Sequence, residues 1–150
     1  MSEWLVRPFD DADEDAVVAL WERCGVTRPW NDPHRDIARK RLVQREFFLV
    51  ADAGGDVVGT AMFGYEGHRG WVNYLATDPA WRRRGIAAEL MSRGEALLTA
   101  VGCPKLNLQM RAGNADAAAF YEGIGYARDD VVCYGKRLIP DGGPADRYEW

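Results

Sequence analysis

Tyr74-Leu75-Ala76-Thr77-Asp78-Pro79-Ala80-Trp81-Arg82-Arg83-Arg84-Gly85-Ile86-Ala87 changes its hydrophobic period partway along, and that change decides the fold. Upstream of it, residues 71–77 read as a strand ended by Asp78-Pro79. Downstream, Ile86, Leu90, Met91, Leu97, Leu98 and Val101 recur at helical spacing, which predicts a helix over about 86–100 stopped by Gly102-Cys103-Pro104. Leu106 to Met110 then alternates as a strand. A strand, a crossover helix and a strand imply one parallel pair. The turn before the helix is rich in arginine and reaches Gly85 and Ala87, which carry no bulk to hold a ligand away. Unpaired backbone amides at a helix start bind anions, so the turn has the makings of a phosphate cradle. It is neither a G-x-x-x-x-G-K-[ST] loop nor a G-x-G-x-x-G turn. From these residues alone a solvated basic surface explains the turn equally well.

Upstream, the chain reads as a meander. Phe47 to Ala51 is a dense apolar run, Ala53-Gly54-Gly55-Asp56 a tight turn, and Val57 to Tyr65 a returning strand. Glu66-Gly67-His68-Arg69-Gly70 turns the chain again into the strand at 71–77, so three consecutive strands are antiparallel. Before them, Trp4 to Pro8 reads as a short strand. Ala16, Val17, Leu20, Trp21 and Cys24 mark a first helix, and Asp32-Pro33 opens a second that runs to about residue 45. Arg35, Arg39, Lys40, Arg41 and Arg45 give that second helix a basic face. Past 110, Asn114 opens a helix closed by Gly125, and Val131 to Leu138 reads as a last strand. The expected order is β-α-α-β-β-β-α-β-α-β, an α/β (α+β) domain at 1–138 with a mixed, mostly antiparallel sheet flanked by helices. A polar tail follows at 139–150.

With 150 residues, 47% of them apolar and 28% charged, the composition is that of one globular domain. The net charge of −4 opposes general nucleic-acid binding, which needs a positive excess to neutralise phosphates, and suits a cationic acceptor. Cys24, Cys103 and Cys133 are odd in number and far apart, which fits reduced thiols and not a disulfide framework or a zinc site; no metal is expected. No leader-like apolar segment opens the chain, and no apolar run spans a membrane, so the expected location is the cytoplasm, with no membrane partner.

Two short motifs carry a resemblance. Arg82, Gly85 and Ala87 fall on the [QR]-x-x-G-x-[GA] pattern after a strand-and-proline segment. Asn114, followed by Tyr121 in Ala119-Phe120-Tyr121-Glu122-Gly123-Ile124-Gly125-Tyr126, falls on N-x(6)-Y-x-x-x-G-[FY]. Together, in this element order, they resemble motifs A and B of the GNAT (Gcn5-related) N-acetyltransferases over about residues 3–138. Leu20 to Cys24, Arg28 to Pro33, Gly67 to Gly70 and Gly102 to Lys105 further resemble the YpeA-type bacterial subgroup of that family.

The resemblance implies acetyl transfer from acetyl-CoA to a primary amine by direct attack in a ternary complex. Acetyl-CoA serves as co-substrate. The acceptor would be a protein N-terminus, a lysine, a polyamine or a small amine. It implies that Leu75, Ala76 and Thr77 hold the pantetheine arm, and that the Leu75 amide faces the thioester oxygen. The turn Arg82, Arg83, Arg84, Gly85, Ile86, Ala87 and Ala88 would wrap the pyrophosphate, and Asn114 would contact the cofactor arm. Tyr121 would protonate the departing thiolate, although its spacing alone equally suits a core aromatic. Many members of the family carry a glutamate on the fourth strand; Trp71, Val72, Asn73 and Tyr74 offer none. Glu66 and His68 are then the nearest candidates for the base, against the reading of both as solvated turn residues. Trp30 and Asn31 are candidate walls of the acceptor site. Members of the family often dimerise, so a homodimer is compatible with the resemblance. The alternative, raised by the missing carboxylate, is a non-catalytic acyl-CoA-binding module.

Overall fold

The computed structural model describes residues 3–142. Strand β1 (Leu5–Pro8) is short because Pro8 ends it. Asp10 and Asp13 then cap each other's backbone in a reciprocal box, and α1 (Glu14–Arg23) follows. Arg7 grips both Asp13 oxygens at 2.8 and 2.9 Å and Asp52 at 3.0 Å, which ties the start of the chain to the sheet. Asp32 caps α2 (Pro33–Arg41) through the amides of His34 and Arg35, with Pro33 at the first helical position.

Helix α2 stops at Arg41, short of the expected 45. Gln44 adopts a left-handed conformation, φ 49°, and its side-chain amide exchanges two hydrogen bonds with the Tyr65 backbone, at 3.0 and 2.8 Å. Those bonds hold the chain where a further helical turn would have run. The basic face of α2 is matched by carboxylates: Arg41 with Asp11 and Glu14, Arg45 with Asp11, and Arg39 with Asp36 and Asp141.

Strands β2 (Phe48–Ala53), β3 (Asp56–Tyr65) and β4 (Gly70–Thr77) form the expected antiparallel meander, and β1 pairs with β2. Helix α3 (Ile86–Ala100) crosses over to β5 (Leu106–Leu108), which lies parallel to β4. The five strands are ordered β1-β2-β3-β4-β5, and α4 (Ala115–Gly123) follows. Two apolar layers sandwich the sheet. One joins Phe63, Val72 and Val58 to Ile86, Leu90, Met91 and Leu98 of α3. The other joins Val50, Phe48, Met62 and Ala76 to Trp21, Leu20 and Val17 of α1 and Ile37 of α2. This is the mixed, mostly antiparallel α/β architecture that the sequence implies.

The last expected strand does not form. Residues 131–138 carry no ladder, and Val131, Val132, Tyr134 and Leu138 are all exposed. Val131 and Val132 are adjacent, so an extended chain would point them to opposite faces, and no core surface is offered to either. The segment instead runs beside β5 through side chains, with Lys105 on Asp129 and Gln109 on Cys133. Most of the polar tail expected at 139–150 lies outside the described residues. Its beginning is tied down: Asp141 is buried, accepts from the Asp32 amide at 2.9 Å, and pairs with Arg39 and with Arg137.

Candidate functional site

The site grows out of a defect in β4. Met62 faces Asn73 and Thr60 faces Ala76, so Ala61 alone stands opposite both Tyr74 and Leu75. Tyr74 takes φ 54°, the left-handed region that a bulky residue enters only when its surroundings compel it. The bulge breaks the side-chain alternation. Val72 and Leu75 pack on the α3 layer, whereas Tyr74 and Ala76 pack on the α1 layer. Trp21 holds the bulge in place. Its indole stacks on the Tyr74 ring at 3.8 Å, and its Nε1 donates to Thr60 Oγ1 at 2.8 Å. Thr60 in turn donates to the Tyr74 carbonyl at 2.8 Å.

Beyond the bulge the sheet opens. The β4–β5 ladder pairs only Gly70, Trp71 and Val72 with Leu106, Asn107 and Leu108. The stretch from Asn73 to Thr77 has no β5 partner, and a groove runs through the gap. Leu75, Asn114, Tyr121, Trp30 and Asn31 all line it. The structure therefore brings together five of the sequence-predicted site residues.

At the far end of β4, Thr77 Oγ1 is buried without a hydrogen-bond partner among the described residues. An orphaned buried hydroxyl is costly and rare in folded chains. Next to it begins α3. Gly59, paired with Thr77, lets the α3 start sit close: a Cβ there would meet Ile86 Cγ2 at 2.8 Å. Asp78 caps the short turn Pro79–Trp81, Arg82 is extended, Arg83 takes φ 64° and Gly85 takes φ 82° as N-cap. No side chain caps this 15-residue helix. The amides of Ile86, Ala87 and Ala88 thus have no intrahelical acceptor and form an anion-binding end. The arginines contribute less than their number suggests. Arg84 lies over the Trp81 ring at 4.4 Å and pairs with Glu3 at 2.7 Å, while Arg82 and Arg83 are exposed.

Tyr121 is half-buried on α4, edge-on to Phe120 at 5.2 Å and to Tyr126 at 6.0 Å. Burial pushes its phenol above the usual value, so it keeps its proton at neutral pH. Its hydroxyl has no hydrogen-bond partner among the described residues. Asn114 caps α4 through the Ala117 amide at 3.1 Å and also lines the groove, so it serves as a cap whatever else it touches. Trp30 lies under the Arg111 guanidinium at 5.4 Å, and Asn31 accepts from Arg137 at 2.6 Å.

Glu66 and His68 do not reach this site. They sit in the turn before Gly70, at the paired end of β4, and neither lines the groove. Glu66 spends one oxygen on the amides of His68 and Arg69, which holds its carboxyl below the usual range. The turn consumes the carboxylate for its own geometry. What the sequence did not single out is Asp36. Its Oδ2 accepts from the Tyr74 hydroxyl at 2.5 Å inside the groove, and Arg39 pairs with its other oxygen at 3.1 Å. The only sequence signal was its place one helical turn after the Asp32 cap.

Three cysteines, Cys24, Cys103 and Cys133, are free thiols, and the described residues hold no group of three or more metal-ligating side chains. Among them no helix is long and apolar enough to cross a membrane.

The family model described as the Acetyltransferase (GNAT) family matches residues 3–126. A curated relative, the acetyltransferase ECA0875 of Pectobacterium atrosepticum, is 48% identical over 136 residues, covering 91% of this chain and 96% of its own. Among solved structures, AAC(6')-Iy in complex with a bisubstrate analogue, CoA-S-monomethyl-acetylneamine, superposes with a TM-score of 0.72 at 19% identity, covering 91% of this chain and all of its own (100%). The ribosomal-protein-S18-alanine N-acetyltransferase of Escherichia coli superposes with a TM-score of 0.68 at 23% identity, covering 81% of this chain and 76% of its own. These two structural likenesses bear on the fold.

Proposed function

The chain belongs to the acetyltransferase (GNAT) family, and from that premise we propose that it carries an acetyl group from acetyl-CoA to a primary amine by direct attack in a ternary complex. The observation that carries the proposal is the opening of β4 past its bulge, with an uncapped helix start at one end and Tyr121 across the gap.

In this reading the backbone from Leu75 to Thr77 receives the pantetheine arm as a strand would, with Ala76 anchoring it to the α1 layer and the Thr77 hydroxyl gaining a partner. The amides from Arg83 to Ala88 take the pyrophosphate, helped by Arg82. The Leu75 amide faces the thioester oxygen as charge builds there. One such donor is worth about 3–4 kcal/mol in acyl transfer. The amine lone pair attacks the carbonyl carbon, the carbon–sulfur bond breaks, and Tyr121 gives its proton to the sulfur. Its raised proton affinity keeps it charged with that proton until the thiolate develops. Asn114 contacts the arm from the α4 cap. Trp30 and Asn31 wall the acceptor side.

The acceptor is an amine whose class is a protein N-terminus, a lysine, a polyamine or a small metabolite. Two structural neighbours, one bound to an acetylneamine analogue and one named for a ribosomal-protein alanine, illustrate that range. The free thiols fit a reducing compartment, which we take to be the cytoplasm. The subgroup likeness and a homodimer remain part of the same proposal.

Thiol release from acetyl-CoA over a panel of these amines, with calorimetry of acetyl-CoA binding, tests the reading. Turnover is expected on at least one amine. Tyr121→Phe is expected to lower kcat about 10²-fold with little change in acetyl-CoA affinity. Binding that survives Tyr121→Phe with no turnover in either form would favour an acyl-CoA-binding module instead.

A further inference from the structure

We propose that Asp36 takes the proton from the acceptor amine, positioned at the open end of β4 by the hydroxyl of Tyr74. The proposal rests on the acetyl-transfer reading above. An amine must be neutral to attack, and an alkyl ammonium near pKa 10 or a peptide terminus near 8 is mostly protonated at pH 7. A base in the groove that takes this proton, directly or through water, raises the share of amine able to attack.

Few carboxylates can do so. Glu66 is bound into its turn, Asp32 caps α2, and Asp141 is filled by Arg39, Arg137 and the Asp32 amide. Of the other carboxylates in the groove wall, Glu95 on α3 is held by the Tyr126 hydroxyl and Asp129 by Lys105; only Asp36 is joined to the open stretch of β4, through the Tyr74 hydroxyl. Glu122 lines the groove next to Tyr121, the proposed acid. Asp36 shares the groove wall with Tyr74 and Asn31. The Tyr74 ring is fixed by Trp21 and its carbonyl by Thr60, so the hydroxyl holds the Asp36 carboxylate at one tyrosine's reach from the Leu75 backbone. That is the residue whose amide would face the reacting carbonyl. Tyr74 cannot serve as base itself. Burial, then the hydrogen bond to Asp36, hold its phenol far above the usual value.

The protons balance. One leaves the ammonium for Asp36 and then solvent. The second leaves nitrogen as the tetrahedral adduct collapses and replaces the proton that Tyr121 gave to sulfur. The charged groups around Asp36 are Arg39 on its own helix, Lys40 and Arg28 in the same wall, and Asp32 and Asp141, whose charges reach the Tyr74 hydroxyl.

The test is the pH profile of kcat/KM for Asp36→Asn with three probes: an alanine-terminated peptide, an Nα-blocked lysine and spermidine. At pH 7 the variant should lose about 10²-fold. The loss should shrink as pH rises, since solvent then supplies neutral amine, giving a steeper rise of log kcat/KM than the intact protein shows. Asp36→Glu should recover part of the rate, and Tyr74→Phe, a positioning change, should cost about tenfold. Acetyl-CoA affinity should stay constant throughout. A wild-type rate and profile in Asp36→Asn, or the steep profile appearing in Glu122→Gln, overturns the proposal. Absence of thiol release by the intact protein on every probe overturns the acetyl-transfer reading and this proposal with it.

Discussion

The two ends of β4 share one strand and differ in everything that matters for a site. From Gly70 to Val72 the strand is paired on both sides, to Tyr65, Gly64 and Phe63 of β3 and to β5. From Tyr74 to Thr77 it is bulged, left without β5, and carries an orphaned hydroxyl at its end. The paired end satisfies its backbone internally, so nothing there asks for a ligand. The open end is kept open by Trp21 and Thr60 on one face and by the α3 start on the other. The same sheet thus supplies a rigid frame and an unsatisfied edge within eight residues.

The largest expected effect lies under the paired end. Phe63, the partner of Val72, packs so closely on α3 that a Cβ at Gly94 would sit 2.1 Å from its ring. Gly94→Ala should destabilise the fold by about 3 kcal/mol through overpacking, seen as a lower denaturant midpoint. An unchanged midpoint would mean that this end is looser than the packing implies. At the open end the sign reverses. Thr77→Val removes a buried hydroxyl that has no partner among the described residues, so the free protein should gain about 1 kcal/mol. Acetyl-CoA should then raise Tm less than in the parent, because the ligand loses a contact. A stability loss in the free protein would show that the hydroxyl is satisfied in solution.

The smallest effect concerns the acceptor side of the open end. Arg39, followed by the Asp32 amide and Arg137, holds the Asp141 carboxyl well below the usual carboxylate range. A depressed folded pKa gives stability that is present above the unfolded value near 3.9 and is lost as pH falls through the folded value. Asp141→Asn should therefore lower Tm by a few degrees at pH 7, and the gap to the parent should narrow only below about pH 4. A gap that already narrows near pH 6 would contradict the assignment to Asp141.

The frame was legible in the sequence where local signals and tertiary packing agree. The Asp32-Pro33 cap, the α3 periodicity from Ile86 and the parallel crossover all appear as expected. So does the glycine at the α3 start, where φ 82° demands it. The misses have tertiary causes. Residues 131–138 have strand propensity, but propensity forms no strand without a ladder to join. The end of α2 is set by Gln44 reaching Tyr65, a contact 21 residues apart that no local pattern encodes. The site divides the same way. The family resemblance pointed to Leu75, Asn114 and Tyr121, and all three line the groove. Proximity in sequence suggested Glu66 and His68, which the strand carries away, and overlooked Asp36, 38 residues from the tyrosine it meets. The bulge at Tyr74 has no sequence signature, since any residue there reads as part of a strand.

Amide hydrogen exchange with and without acetyl-CoA tests the central claim most directly. Ligand should slow exchange at Leu75 to Thr77 and from Arg83 to Ala88, and leave Gly70 to Val72 at their unliganded rates. Protection spread evenly along β4, or absent from the α3 start, would contradict the assignment of the open end to acetyl-CoA.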